Sequence, residues 1–196
     1  MILPVVAIGD PILRKKGIDI TPEYPYLKEL IDNMFETMYN AFGVGLAAPQ
    51  IGKSIRLFVI DTEAFSESED YTEDEKNYLK TFKKVFINAR ITKEEGNEWG
   101  FNEGCLTIPG VHEDVTRFSI IHIDYLDENF TPHSEIFSGV AARVIQHEYD
   151  HIEGILFTDK ISPFKKKLIK GKLDKISKGQ VGGDFNYPMK FPMTKK

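Results

Sequence analysis

The stretch of sequence that most constrains the fold is His147-Glu148-Tyr149-Asp150-His151, which has the H-E-x-x-H pattern. Residues four positions apart lie on the same face of a helix, about 5–6 Å apart at Cβ. A helix here would direct His147 and His151 towards one metal ion and leave Glu148 free to act on a metal-bound water. A chance match is the alternative, so the surrounding residues have to support the pattern.

The flanking residues are typical of a buried helix. Ser138 is a candidate N-cap and Gly154 a candidate stop. The apolar stripe between them, which lies beside both histidines, consists of Val140, Val144, Ile145 and Ile152. Two imidazoles and a carboxylate buried without partners would be unfavourable, and metal coordination provides those partners. We therefore predict that His147 and His151 are metal ligands.

The composition is that of a soluble globular domain. The 196 residues are 41% hydrophobic and 28% charged, which is ordinary and sufficient for a core without disulfides. No apolar run is long enough for a membrane span, and residues 1–10 lack the basic flank and cleavage pattern of a signal peptide. A single cysteine cannot form an internal disulfide, so we expect a cytoplasmic protein without membrane association.

The hydrophobic spacing predicts an α+β fold. We predict helices over 24–41 and 163–177 besides the H-E-x-x-H helix, and strands over 55–60, 85–92, 115–126 and 134–137, the last two forming a hairpin. The acidic segment 61–76 is predicted to be a surface excursion that ends in a short helix. Because strands and helices do not alternate regularly, α+β is favoured over a parallel α/β sheet. We assign residues 1–178 to one domain and 179–196 to an irregular basic tail.

The last predicted helix is amphipathic and basic. Its expected apolar side comprises Phe164, Leu168, Ile169, Leu173 and Ile176. Residues 160–196 contain eleven Lys and two Asp, whereas the whole chain has a net charge of −5. A solvated helix face explains this asymmetry, and a surface facing nucleic acid is the alternative.

Three segments in fixed order carry a resemblance. They are residues 43–50 (Gly-Val-Gly-Leu-Ala-Ala-Pro-Gln), 103–107 (Glu-Gly-Cys-Leu-Thr) and 146–151 (Gln-His-Glu-Tyr-Asp-His). Together they resemble the peptide deformylase family, which carries G-x-G-x-A-A-x-Q, E-G-C-L-S and Q-H-E-x-D-H. Thr107 stands where the family has serine and keeps the hydroxyl. The resemblance runs from about residue 3 to about residue 178, and the helical C-terminal segment resembles the family's helix-ending form.

The resemblance implies both a fold and an activity. It implies mixed or antiparallel sheets around the metal-bearing helix, with Cys105 joining His147 and His151 as metal ligands and Glu148 as general acid/base. Gln50 and the backbone N–H of Leu106 would bind the oxyanion. The implied substrate is the N-formylmethionyl end of a nascent polypeptide, and formate is released. One divalent ion is implied, Fe(2+) natively, with Zn(2+), Ni(2+) or Co(2+) possible in a preparation.

Further residues are expected to contact the substrate or support the ligands. The expected substrate contacts are Gly43, Val44, Gly45, Glu103, Gly104 and Val144; the two glycines at 43 and 45 also fit a helix stop and turn. Glu103 would need a partner if buried, and Arg117 is the candidate. Asp150 is expected to orient a neighbour rather than to bind the metal, because such carboxylates commonly hold ligating histidines.

Two other functions remain open from the sequence. An ordinary metalloprotease shares H-E-x-x-H, with Glu153 or Asp159 as a weak match for its third ligand. A metal-stabilised module that binds the ribosome or RNA is suggested by the lysine-rich C-terminal segment, and its binding would depend steeply on salt. Ribosome contact and deformylation can coexist, whereas DNA binding is not expected.

Overall fold

A five-stranded antiparallel sheet lies at the centre of the computed structural model, which describes residues 1–181 and 185–192. In chain order, the elements are β1 (Val5–Val6), α1 (Leu27–Asn40), β2 (Gly45–Ala47), β3 (Leu57–Asp61), α2 (Glu73–Thr81), β4 (Lys83–Gly104), β5 (His112–Leu126), β6 (Pro132–Ser138), α3 (Gly139–Ile152), α4 (Pro163–Ser177) and β7 (Met189–Lys190). The sheet order is β2-β3-β4-β5-β6, and β1 pairs in parallel with β7. This arrangement confirms the predicted α+β class.

Strand β3 shows why the sheet is covered on both faces. Successive side chains of a strand point to opposite faces, and all four residues from Leu57 to Ile60 are fully buried. Phe58 and Ile60 pack in the cluster that contains the apolar side of α3, whereas Leu57 and Val59 pack with α1. The sheet therefore lies between two helices, and α3 is held against it by its apolar stripe.

The hairpin of β4 and β5 carries one active-site segment to α3. Strand β4 continues to Gly104, twelve residues beyond the end predicted from the sequence. The prediction failed because most side chains over 92–100 are exposed and polar, so they show no apolar alternation. Register shifts near 87–90, 91–93 and 95–98 bend the strand. Cys105 follows directly at its end.

The other predicted helices and strands begin and end within three residues of their predicted bounds. Helix α1 begins at Leu27, after Tyr26 in the left-handed region, rather than at 24. Helix α4 has the predicted bounds. However, Phe164 and Leu168, which were assigned to its apolar side, are 70% and 67% exposed. Its packed side consists of Ile169, Leu173 and Ile176.

The acidic excursion ends in a short helix, as predicted. Thr72 caps helix α2: its hydroxyl accepts from the N–H of Glu75, whose carboxylate accepts from the N–H of Thr72. Such a capping box satisfies two backbone donors at the helix start. The carboxylates of the first turn lie near the positive end of the helix dipole, which also favours a helix here.

Part of the predicted C-terminal tail packs against the body. Met189 and Lys190 form β7, and Tyr187 is buried with Val5 and Ala41. The division at residue 178 stays a prediction, and residues 182–184 and 193–196 lie outside the described part of the chain. Across the described ranges, no helix has both the length and the apolar character that crossing a membrane requires.

Candidate active site

Three chain segments meet at one end of helix α3. The first is the 3-10 turn Ala48–Ile51, which follows β2 and carries Gln50. The second is Cys105-Leu106, where the chain leaves β4. The third is the last half of α3, which presents His147, Glu148 and His151. The structure thus brings together residues about 100 positions apart in the chain.

The three predicted ligands converge on one point. One donor atom from each of Cys105, His147 and His151 lies within 4.8 Å of the others, and Sγ of Cys105 is 3.2 Å from Nε2 of His151. Donors around one tetrahedral ion with ordinary metal–sulfur and metal–nitrogen bonds are about 3.4–3.6 Å apart. This donor set therefore fits a single divalent ion. It is the only such group among the described residues.

A buried carboxylate orients the first histidine. Glu103 is 4% exposed, accepts two hydrogen bonds from Arg117 at 2.7 and 2.9 Å and a third from Arg143 at 3.0 Å. Its other contact is with Nδ1 of His147, at 2.9 Å. The guanidinium and imidazole contacts outweigh burial and hold the pKa of Glu103 well below its usual value. Since the ionised carboxylate can only accept, Nδ1 donates, and Nε2 of His147 keeps its lone pair for a metal.

This network agrees with the expectations for Glu103 and Asp150 and adds one residue that the sequence analysis missed. Arg117 is the partner of Glu103, as the sequence suggested. Asp150 orients a neighbour, as expected: it pairs with Arg117 at 2.6 Å. The carboxylate that contacts a histidine of the site is Glu103. Arg143 was missed, although a charged residue four positions before His147 on an apolar helix face was the available signal.

The surroundings of Cys105 favour its thiolate form. Burial raises the pKa of the Cys105 thiol, but the imidazoles of His151 and His147 outweigh burial and lower the pKa well below its usual value. The Thr107 hydroxyl lies 3.0 Å from Sγ of Cys105, so the threonine at this position makes a polar contact with the sulfur. A thiolate is the form of cysteine that binds a metal.

Glu148 is buried in a space that Gly45 leaves. A Cβ on Gly45 would overlap Oε1 of Glu148 and lie 2.8 Å from its Cγ and Cδ. Burial raises the pKa of Glu148 to about 7. Its Oε2 has no hydrogen-bond partner within the described ranges. A buried oxygen without a partner is costly, which suits a group whose partner is water or substrate.

Gln50 has one defined orientation. Its Oε1 accepts the backbone N–H of Ala47 at 2.7 Å, so its NH₂ group must point the other way, and Nε2 lies 3.5 Å from Sγ of Cys105. An amide donor therefore faces the centre of the site. Neither the sequence nor the motif spacing fixes which end of the amide points inwards.

A cavity of about 490 Å³ opens onto these groups. All six residues expected to contact substrate line it: Gly43, Val44, Gly45, Glu103, Gly104 and Val144. Gln50, Cys105, Leu106, His147 and Glu148 line it as well. His151 is buried behind them. Gly104 has a packing reason of its own, because a Cβ there would lie 2.6 Å from the His112 ring.

This fold and site define a hydrolase with a candidate metal centre and a buried carboxylate beside it. The family model described as polypeptide deformylase matches residues 2–167. The chain is 61% identical to a peptide deformylase of Flavobacterium johnsoniae over 100% of this chain and 99% of that protein. It is 51% identical to the one of Cytophaga hutchinsonii, over 100% of both.

Solved structures show the same relationship. A peptide deformylase of Legionella pneumophila has a TM-score of 0.76 at 37% identity, covering 92% of this chain and 98% of that one. One of Plasmodium falciparum has a TM-score of 0.77 at 34% identity, covering 89% and 95%. The chain belongs to the peptide deformylase family, which confirms the resemblance. It is an enzyme that removes the N-formyl group from newly made polypeptides.

The contact between Gly45 and Glu148 gives a prediction. Gly45→Ala forces the Glu148 carboxylate to move while leaving the three donors in place, so turnover of a formylated peptide should fall about 100-fold with metal content unchanged. Gly100→Ala is the matched control, because a Cβ there meets nothing within 4 Å. Formate release and metal content of both variants are the measurements; equal activity of Gly45→Ala and Gly100→Ala would contradict the proposed contact.

Proposed function

We propose that the enzyme works with one divalent metal ion held by Cys105, His147 and His151, and with Glu148 as general acid/base. The observation that carries this proposal is the convergence of three donor atoms within 4.8 Å, beside a buried carboxylate whose Oε2 has no partner among the described residues. A cation at these donors would supply Lewis acidity and lower the pKa of water from 15.7 to about 7.

Glu148 moves the proton. It takes one proton from the attacking water and delivers it to the nitrogen of the leaving amine when the C–N bond of the formamide breaks. The products are formate and a free amino terminus. A carboxyl with a pKa of about 7, raised by burial, can accept and return a proton near neutral pH, as a group that serves both steps must do.

Two donors stabilise the charge that develops on the formyl oxygen. The NH₂ group of Gln50 faces the site because its carbonyl oxygen is held by Ala47. The backbone N–H of Leu106 is the second donor, next to Cys105 in the chain and on the cavity wall. Loss of one such donor typically costs about 2.7–4 kcal/mol of transition-state stabilisation.

The methionine side chain would lie in the apolar part of the cavity. Val44 and Val144 line it, together with Phe65, Phe101 and Ile108. An apolar wall favours an unbranched, polarisable side chain such as methionine. Gly43 and Gly45 leave the backbone open along the cavity, where an extended peptide could approach.

The donor set is compatible with several metal ions. One thiolate and two imidazoles suit zinc, iron(II), nickel and cobalt. We propose Fe(2+) as the native ion, by the family resemblance, with Zn(2+), Ni(2+) or Co(2+) as substitutes in a preparation.

Both carboxylates that the metalloprotease alternative offers as a third ligand are engaged with other groups. Glu153, one weak candidate, pairs with Arg56 at 2.6 Å and with Lys16 at 3.0 Å. Asp159, the other candidate, pairs with Arg14 and accepts the N–H of Leu156. Both carboxylates are engaged away from the histidines, whereas Cys105 is in contact with His151.

The base assignment has a direct test. Glu148→Ala should retain the metal but lose at least about 99% of its turnover, since the proton carrier is gone while the three donors remain. The measurement is formate release from a formylmethionyl peptide beside its unformylated twin, with Glu94→Ala on an exposed strand position as control. Undiminished formate release in Glu148→Ala would remove its assigned role, and cleavage of internal peptide bonds with the formyl group intact would favour a protease.

The ligand assignment is tested separately. Cys105→Ala should lose most of its bound metal, because two imidazoles alone make an incomplete site. Anaerobic metal analysis of freshly prepared protein measures this. Glu148→Ala serves as control, since it alters the same cavity without removing a donor. A full metal complement in Cys105→Ala would show that the ligand set is different.

We also propose that helix α4 contacts the ribosome in the cytoplasm, where formylated chains emerge. Lys165 and Lys166 already pair with Glu113 and Asp159, at 3.0 and 3.2 Å. Lys167 and Lys170 are exposed, and no ion pair joins either to a carboxylate within the described ranges. These two lysines are therefore the better candidates for binding ribosomal phosphates.

A charge-matched pair of variants tests the ribosome contact. Lys167→Gln with Lys170→Gln should weaken cosedimentation with ribosomes several-fold and reduce its salt dependence, while activity on a short peptide is unchanged. Lys28→Gln with Lys80→Gln removes the same charge from exposed positions elsewhere and is the control. If both double variants bind ribosomes equally, helix α4 has no special role.

A further inference from the structure

The C-terminal strap, defined here as residues 185–190, returns to the active site after helix α4. It is anchored to the N-terminal strand: β7 pairs with β1, the N–H of Val5 donates to the carbonyl of Pro188 at 2.8 Å, and the N–H of Ala7 donates to that of Lys190 at 2.9 Å. Asn40, at the end of α1, donates to the carbonyl of Asn186 at 3.1 Å. The strap therefore has a defined position on the body of the enzyme.

The strap forms part of the cavity wall. Phe185, Asn186 and Tyr187 line the cavity, together with the segment that contains Gly43. The Phe185 and Tyr187 rings are 5.4 Å apart, and they pack in a small apolar cluster that includes Leu106. This wall lies beyond residue 167, where the match to the family model ends.

One polar contact joins the strap to the candidate oxyanion site. The hydroxyl of Tyr187 donates to the carbonyl oxygen of Leu106 at 2.8 Å. Tyr187 is 9% exposed, so this hydrogen bond is shielded from water. The next carbonyl, that of Thr107, accepts the N–H of Ile8 at 2.9 Å. The loop after β4 is thus held at two successive carbonyls by opposite ends of the chain.

The orientation of Leu106 matters because its N–H has to point at the developing charge. The N–H of Leu106 lies in the same rigid peptide plane as the carbonyl of Cys105, which accepts the N–H of Ile108 at 2.9 Å. The carbonyl of Leu106 lies in the next plane, so the Tyr187 contact holds the second of the two planes that flank Leu106. With both planes held, the backbone dihedrals of Leu106 between them are restricted, and so is the direction of its N–H. Catalytic donors contribute only when they are already aimed at the place where charge develops. A loop free to rotate would lose that contribution without losing the metal ligand next to it.

We propose that Tyr187 is a positioning residue for deformylation: its hydroxyl holds the carbonyl of Leu106, and with it the turn after β4, so that the N–H of Leu106 stays directed at the oxyanion. This inference rests on the oxyanion role given to Leu106 under the proposed function. It assigns to the C-terminal strap a part in catalysis as well as in packing.

The test is Tyr187→Phe, which keeps the ring and removes the hydroxyl. We expect kcat for a formylmethionyl peptide to fall about tenfold, with KM within about twofold and metal content unchanged. Tyr39→Phe is the matched control, because the Tyr39 hydroxyl donates to Asp61 at 2.6 Å outside the cavity lining. Tyr187→Ala should show a larger loss, which Phe partly restores because it refills the apolar cluster.

Three results separate the possible failures. Wild-type kcat in Tyr187→Phe, with wild-type enzyme active, overturns the positioning role and leaves the proposed function intact. A fall in kcat accompanied by equal losses of metal and thermal stability also overturns it, since Tyr187 would then be only structural. Absence of formate release by the metal-loaded wild type would instead contradict the proposed function.

Discussion

The active site depends on one buried charge, the carboxylate of Glu103. An ionised group in the protein interior is tolerated only when it is paired and hydrogen-bonded, and Glu103 meets two guanidinium groups and the His147 imidazole. These partners come from β5 and α3, while Glu103 belongs to β4. The network therefore fixes the long hairpin against the helix, and the same contacts set the tautomer of His147. Cys105, two residues after Glu103, is brought to the helix as a consequence.

The second requirement of the site is glycine at two positions where a side chain would not fit. Gly45 leaves the space that the Glu148 carboxylate occupies, and Gly104 leaves the space for the His112 ring. In both places a methyl group would overlap a neighbour, so the close approach of β2 to α3, and of the end of β4 to the start of β5, needs glycine. The glycines that the sequence assigned to substrate contact thus also have a packing function.

The fold was predicted best where a periodic pattern coincided with burial. Helix α4 has the predicted bounds and β3 is displaced by only one or two residues, because apolar spacing and capping signals agree there. The last twelve residues of β4 were missed, since exposed polar side chains carry no such pattern. Phe164 and Leu168 were misplaced for a related reason: helical spacing identifies an apolar stripe, but only packing decides which part of it is covered.

The sequence by itself determined the H-E-x-x-H helix, the identity of the candidate ligands and base, and the α+β class, because these follow from local periodicity and from motifs of specific residue types. Only the tertiary structure decided that Cys105 lies beside His151, that Glu103 rather than Asp150 holds a histidine, and that Tyr187 reaches Leu106. These contacts join residues 44 to 81 positions apart. They depend on how the sheet and helices pack, and local sequence preferences do not encode such distances.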